Sequence, residues 1–225
     1  VRGGASRGTH FPKGNAQSAA RDLPRRFGSG KTASGDVNEL RHALSLYTAE
    51  GERIVKETER IFLDFSARKL ELLTGRIESC LDRLSGEQIW ARGTENENAV
   101  GNLTLHLAGN VRQWIVSGVG GLPDVRERDA EFAARGGASA AELKERLRGT
   151  VEEAVAVIGG LSTERLTERL TIQKYEESVL EAIYHVVEHF SMHTGQIQFA
   201  TKMLTGADLG FYAHLKTAAH GEKTP

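Results

Sequence analysis

One run of apolar residues recurs at alternating spacings of four and three. It reads Val179, Ile183, Val186, Phe190, His193, Ile197, Ala200 and Leu204. That spacing returns to one side of a helix, so it predicts a helix whose stripe faces the interior. His193 is the single polar member of the stripe. Ser178 and Glu181 match a capping box at its start, and Gly206 suits its C-terminal end. The same reading predicts three more main helices. One spans about residues 52–84, with Ile61, Phe65, Leu72, Ile77, Leu81 and Leu84 at helical spacing. The next runs from Val100 to Gly118 on Val100, Leu103, Leu107, Val111 and Trp114. The third opens on the Ser139/Glu142 capping box and carries Leu143, Leu147, Val151, Ala154 and Ile158 to Gly159.

A short, loosely docked helix is expected after Asp36, with Val37, Leu40, Leu44 and Tyr47 along one side. No strand and no internal repeat is expected. Four helices with one apolar face each must cover those faces against one another. The expected fold is all-α, a four-helix bundle.

Composition changes this picture at the N-terminal end. Residues 1–38 carry seven Lys/Arg against two Asp/Glu, with seven glycines and no sustained periodicity. Residues 1–52 are therefore expected to be a disordered or loosely helical extension, and residues 53–225 the bundle. The whole chain has a net charge of -1, which suggests no nucleic-acid partner. No apolar run reaches the length needed to span a bilayer, so no membrane segment is expected. The single cysteine, Cys80, fits a reducing, cytoplasmic setting and a place in the core.

The candidate chemistry lies in the histidines. His185, His189 and His193 follow one another every four residues, on roughly one side of the last helix. An imidazole at the seam position 193 needs a partner. His189 and His193, at i and i+4, can reach one metal ion. A third ligand must come from elsewhere, and His106 on the second main helix is the candidate. Asn102, Asn110 and Gln113 around it could bond the outer nitrogen of a ligating imidazole, or a substrate. Gln196, one turn beyond His193, could also contact a substrate. His185 is read as a residue behind the ligands, or as a ligand paired with His189 in place of His193. A histidine triplet can also be a surface accident, and buried histidines also bond to backbone. The zinc-protease pattern HExxH is absent, because Phe190 stands where its glutamate belongs. Three neutral imidazoles suit Zn, Ni or Fe and leave room for chemistry.

The segments "GNLTLHLAGNVRQWIVSGVGG" (101–121), "LEAIYHVVEHFSMHTGQIQFATKMLTG" (180–206) and "DLGFYAHL" (208–215), together with Phe62–Trp90 and "RDAEF" (128–132), resemble the DinB superfamily, in particular a DinB/YfiT-like branch. The resemblance implies an up-down-down-up four-helix bundle and a divalent metal held by His106, His189 and His193. It also implies a homodimer acting on a small-molecule substrate. Some such proteins are transferases that use a low-molecular-weight thiol, others are described as hydrolases, and many have no known activity. The expected function is thus a metal-dependent, thiol-using transferase. A metal-dependent hydrolase and a non-enzymatic metal-binding module are the alternatives.

Overall fold

The computed structural model describes residues 33–216 of the 225-residue chain. The expected disorder of residues 1–32 lies outside the described residues. Those described fall into two compact units, residues 33–49 and 50–216. The first consists of the opening turns of helix α1, Ala33–Leu81. Its Val37, Leu40, Leu44 and Tyr47 are exposed.

The expected short helix and long helix are therefore one element, and Asp36 lies within it rather than capping it. Gly51 fails to separate them. A lone glycine costs a helix only ~1 kcal/mol, and Arg53 spans it by bonding both Glu50 and Glu57.

In the second unit α1 is followed by a single turn α2 (Gly86–Ile89), capped by Ser85. Helix α3 (Val100–Val111) runs directly into a π-helical stretch, Arg112–Val119. Then come α4 (Arg128–Ala133) and α5 (Ala140–Gly159). A two-stranded antiparallel hairpin, β1 (Arg169–Ile172) and β2 (Tyr175–Ser178), precedes α6 (Val179–Thr205). The capping boxes at Ser139/Glu142 and Ser178/Glu181 are both present, and Gly206 closes α6 in the left-handed conformation. Among the described residues no helix is long and apolar enough to cross a membrane.

The core is built from α1, α3, α5 and α6. Leu63, Leu70, Ile77 and Leu81 meet Leu107, Val111, Leu143, Leu147, Ile183 and Phe190 in one apolar cluster. On α1 the expected inward positions Ile61, Phe65 and Leu72 face water instead. That stretch of α1 is apolar on two sides, and spacing alone cannot choose between them. On α6 the seam is buried at Val179, Ile183, Val186, Phe190 and Ile197, but His193 and Ala200 are only half-buried and Leu204 is exposed, while Thr194 and Thr201 are fully buried. A strict 4-3 spacing repeats every 3.5 residues, and a straight helix of 3.6 drifts off it by ~20° per heptad. The two threonines satisfy their hydroxyls on the carbonyls of Phe190 and Ile197.

The hairpin corrects the expectation that no strand is present. Its strands are four residues each, and its turn is Gln173–Lys174, both at positive φ. Two-residue turns of that kind are normally signalled by Asn or Gly; here neither residue is used. Ile172 anchors the hairpin on the π-helical stretch: a Cβ on Gly118 would stand 2.5 Å from Ile172 Cδ1. Between Gly118 and Ser139, where no helix is expected, the chain forms α4. With α4 on one flank and the hairpin further along, α3 is buried all round.

Candidate functional site

His106 lies on α3, and His189 and His193 on α6. The antiparallel approach of these helices brings three imidazole edges to one point. His189 Nε2 is 3.1 Å from His106 Nε2 and 3.1 Å from His193 Nε2. A divalent ion ~2.0–2.1 Å from each nitrogen needs nitrogens a little over 3 Å apart, so this donor set fits one. The three histidines form a group that could hold a metal ion. His185 stands outside it, one turn back, stacked between Trp114 (ring centroids 4.3 Å apart) and His189 (5.6 Å).

The outer nitrogen of His106 faces a buried ion pair. Its Nδ1 is 3.2 Å from Glu131 Oε2. Arg126 grips the same carboxylate with two bonds, Nε to Oε1 and Nη2 to Oε2, each 2.8 Å. Both side chains are almost fully buried, at 3% and 6% exposure. Arg126 Nη2 also stands 3.0 Å from His106 Nδ1, and that nitrogen cannot both accept from arginine and donate to glutamate. A proton on Nδ1 bonds the carboxylate and leaves the Nε2 lone pair facing the other histidines. A proton on Nε2 would point it at their nitrogens. The first tautomer makes Glu131–His106 the pair that orients a metal-binding imidazole. On His193, Gln196 Oε1 accepts from Nδ1 at 2.6 Å, again leaving Nε2 free.

The other polar residues singled out in the sequence take different places. Asn102 is fully buried and touches neither an imidazole nor the cavity. Its Oδ1 accepts from Arg92 and from the Ala99 amide, and its Nδ2 donates to the carbonyls of Glu131 and Ala134. It fastens the α4 segment that carries Glu131. Gln113 holds Arg126 through Oε1 and Asp124 through Nε2, at 2.9 and 2.6 Å. Asn110 lines a cavity of about 390 Å³ beside the triad, together with His106, His189, His185, Trp114 and Tyr175.

Glu131, Arg126, Trp114 and Tyr175 were not singled out as site residues. Glu131 and Arg126 sit in a charge-rich stretch where no periodicity marks them. Tyr175 reaches the cavity only because of the unsignalled hairpin. Gly109 was the available clue, because a glycine inside a helix costs ~1 kcal/mol of propensity that packing can offset. A Cβ there would stand 1.8 Å from Glu131 Oε1.

Burial favours the neutral form of the two histidines on α6. His189 is lowered from 6.5 to about 3, first by desolvation and then by the neighbouring His193 and His106. Desolvation also lowers His193, against the opposing bond to Gln196. Burial pushes the Glu131 carboxyl up, but its bonds to Arg126 and His106 together outweigh this and hold it below the ordinary value.

In metal-free protein the unfolded chain takes up the His189 proton near pH 6.5, and the folded chain only near 3. The stability this imidazole contributes is therefore complete above pH ~6.5 and lost as pH falls through ~3. Calorimetry of the metal-free protein should give a Tm that drops between pH 7 and 5. His189→Gln should flatten that drop; an unchanged slope would count against a buried neutral His189.

No curated protein matches the chain. Among solved structures, it is similar to the crystal structure of the conserved protein of locus from Enterococcus faecalis. The two share 16% identity over 64% of this chain and 97% of that one, with a TM-score of 0.56. At that identity the likeness concerns the fold alone. The family model described as "Protein of unknown function (DUF1572)" matches residues 48–215, and the chain belongs to that family.

Proposed function

We propose that this chain is a DinB-like four-helix bundle that binds one divalent metal ion through His106, His189 and His193. We further propose that it transfers a low-molecular-weight thiol to an electrophilic small molecule. The observation that carries the metal reading is the meeting of three Nε2 atoms at 3.1 Å contacts.

Helix directions support the bundle. Arg148–Glu78 and Lys144–Asp82 set the start of α5 beside the end of α1. His106 opposite His189, with Trp114 opposite His185, runs α3 against α6. A Thr201 bond to Cys80 sets late α6 beside late α1. Up-down-down-up is the course consistent with these pairings.

When bound, a divalent ion at these nitrogens supplies Lewis acidity and favours the deprotonated form of a thiol or water. In thiol transfer, the sulfur forms a bond to the electrophilic carbon, the leaving group departs with its electron pair, and the thiol proton passes to solvent. Cys80 is fully buried in the core and burial raises its thiol pKa, so the sulfur that such a transfer needs must be diffusible. One observation favours this over hydrolysis. Glu131 is engaged by Arg126 and His106, so it is not free to take a proton from water. Trp114, Tyr175 and His185 would hold the apolar part of a substrate in the cavity.

Elemental analysis of protein loaded with zinc, nickel or iron should find about one ion per chain. His106→Ala, His189→Ala and His193→Ala should each lose most of it, and His185→Ala should retain it. Loaded protein given a halogenated aromatic and a panel of cellular thiols should consume thiol faster than the uncatalysed rate, and His106→Ala should abolish this. Ester hydrolysis without thiol, lost with the same change, would replace the transferase reading with a hydrolase. Silence in both assays would leave a metal-binding module.

The homodimer is supported by the outer side of α1. Ile54, Ile61, Phe65 and Leu72 are each at least half exposed there, at spacings of seven, four and seven. A two-fold pair covering this side is the simplest assembly. Light scattering should give twice the chain mass, and Phe65→Glu should halve it. A monomer mass that persists as concentration rises would dismiss the pair.

A further inference from the structure

Two of the three outer nitrogens in the triad are partnered. His106 Nδ1 meets Glu131 Oε2, and His193 Nδ1 meets Gln196 Oε1. His189 Nδ1 is buried and has no hydrogen-bond partner. One acceptor from the same cavity wall is in the same condition: Asn110 Oδ1 is buried and unpaired. Asn110 is 4% exposed and follows His106 by one turn of α3. Against that helix lies the His189 ring, its Nε2 in contact with His106 Nε2.

The two atoms are not within hydrogen-bond reach of each other in the metal-free arrangement, and the tautomers give them no reason to approach. His106 and His193 keep their protons on Nδ1, where oxygen acceptors lie, and so present bare Nε2 atoms. His189 Nε2 stands between those two at 3.1 Å from each. Without an ion its proton therefore sits on Nε2, shared with its neighbours. His189 Nδ1 is then an acceptor, Asn110 Oδ1 is another, and no bond can form between them. An ion bound to all three Nε2 atoms reverses this. The His189 proton must move to Nδ1, and a buried N–H donor is created that needs an acceptor.

We infer that Asn110 is the positioning residue for His189: with a divalent ion on the triad, its Oδ1 accepts a hydrogen bond from His189 Nδ1–H. This rests on the metal reading proposed above. It gives each ligand an oxygen behind it, from a carboxylate for His106 and from side-chain amides for His193 and His189. Ligand orientation by such partners is typically worth ~10–100-fold in metal affinity.

The test uses the full chain and zinc. Affinity is measured by competition with a chelating dye for wild type, Asn110→Leu and Asn110→Asp. Asn110→Leu keeps the approximate shape without an acceptor and should weaken zinc binding ~10–100-fold. Asn110→Asp keeps an acceptor and should restore binding to near wild type. In ¹⁵N-histidine NMR spectra, zinc-loaded wild type should show a slowly exchanging Nδ1–H for each ligand, and Asn110→Leu should lose that of His189. If wild type binds no zinc, or binds it undiminished after His106→Ala, the metal reading fails and this inference with it. If zinc is lost with His106→Ala but held at full affinity by Asn110→Leu, this inference alone is overturned. Should Asn110→Leu not fold, the zinc-loaded wild-type crystal structure decides: Asn110 Oδ1 within ~3.2 Å of His189 Nδ1 supports the assignment, and water or another group there overturns it.

Discussion

Glu131→Leu should destabilise the protein by roughly 3–5 kcal/mol, the cost of breaking a buried ion pair from one side. Its carboxylate has no substitute. Arg126 is 3% exposed, and both of its bonds to Glu131 would vanish while its charge stayed buried. Gln113 would remain as a neutral partner and cannot balance that charge. His106 would also lose the acceptor that orients it, so metal affinity should fall with stability. Glu131→Gln, which keeps the shape and one acceptor, should lose less of both. Urea unfolding and dye competition measure the two effects. A Glu131→Leu midpoint equal to wild type would mean that water reaches the pair.

Gly109→Ala should be harmful although alanine is the better helix former. In an open helix the change gains up to ~1 kcal/mol. At position 109 the new methyl would stand 1.8 Å from Glu131 Oε1 and 2.9 Å from Arg126 Nε. Neither group can withdraw without breaking the bond between them. A net loss of ~1–3 kcal/mol is expected, in the range of overpacked cores, together with weaker metal binding. Gly149 on α5 is the control, because a Cβ there meets nothing within 4 Å; Gly149→Ala should be neutral or stabilising. If the two substitutions behave alike, the close approach of Glu131 to α3 is not as described.

Long periodic segments were the legible part of this fold. The stripe from Val179 to Ile197 and the two serine capping boxes were readable because each is a local pattern. The side of α1 that turns inward was not, because Ile61 and Leu63 are both apolar and only the neighbouring helices decide between them. The histidine edges that meet were proposed from spacing and from a seam position occupied by a polar ring. What stands behind them was hidden. Glu131 is one acidic residue among many until α4 folds over α3, and Asn102, read as a possible ligand contact, is spent fastening that fold. The hairpin lacked its signal because Gln173 and Lys174 adopt a conformation that short polar residues or glycine usually supply.

The burial of α3 on every side has a consequence for how such a protein can change over time. An ordinary amphipathic helix keeps a watery face on which substitutions drift at little cost. From Val100 to Val111 every residue but Leu105 is buried, so this segment has almost no neutral positions. Its residues are constrained by size as much as by polarity: Gly101 admits the Trp90 ring, and Gly109 admits Glu131. Among relatives, α3 should be the slowest segment to diverge, and a change there should arrive together with a change in the element packed against it.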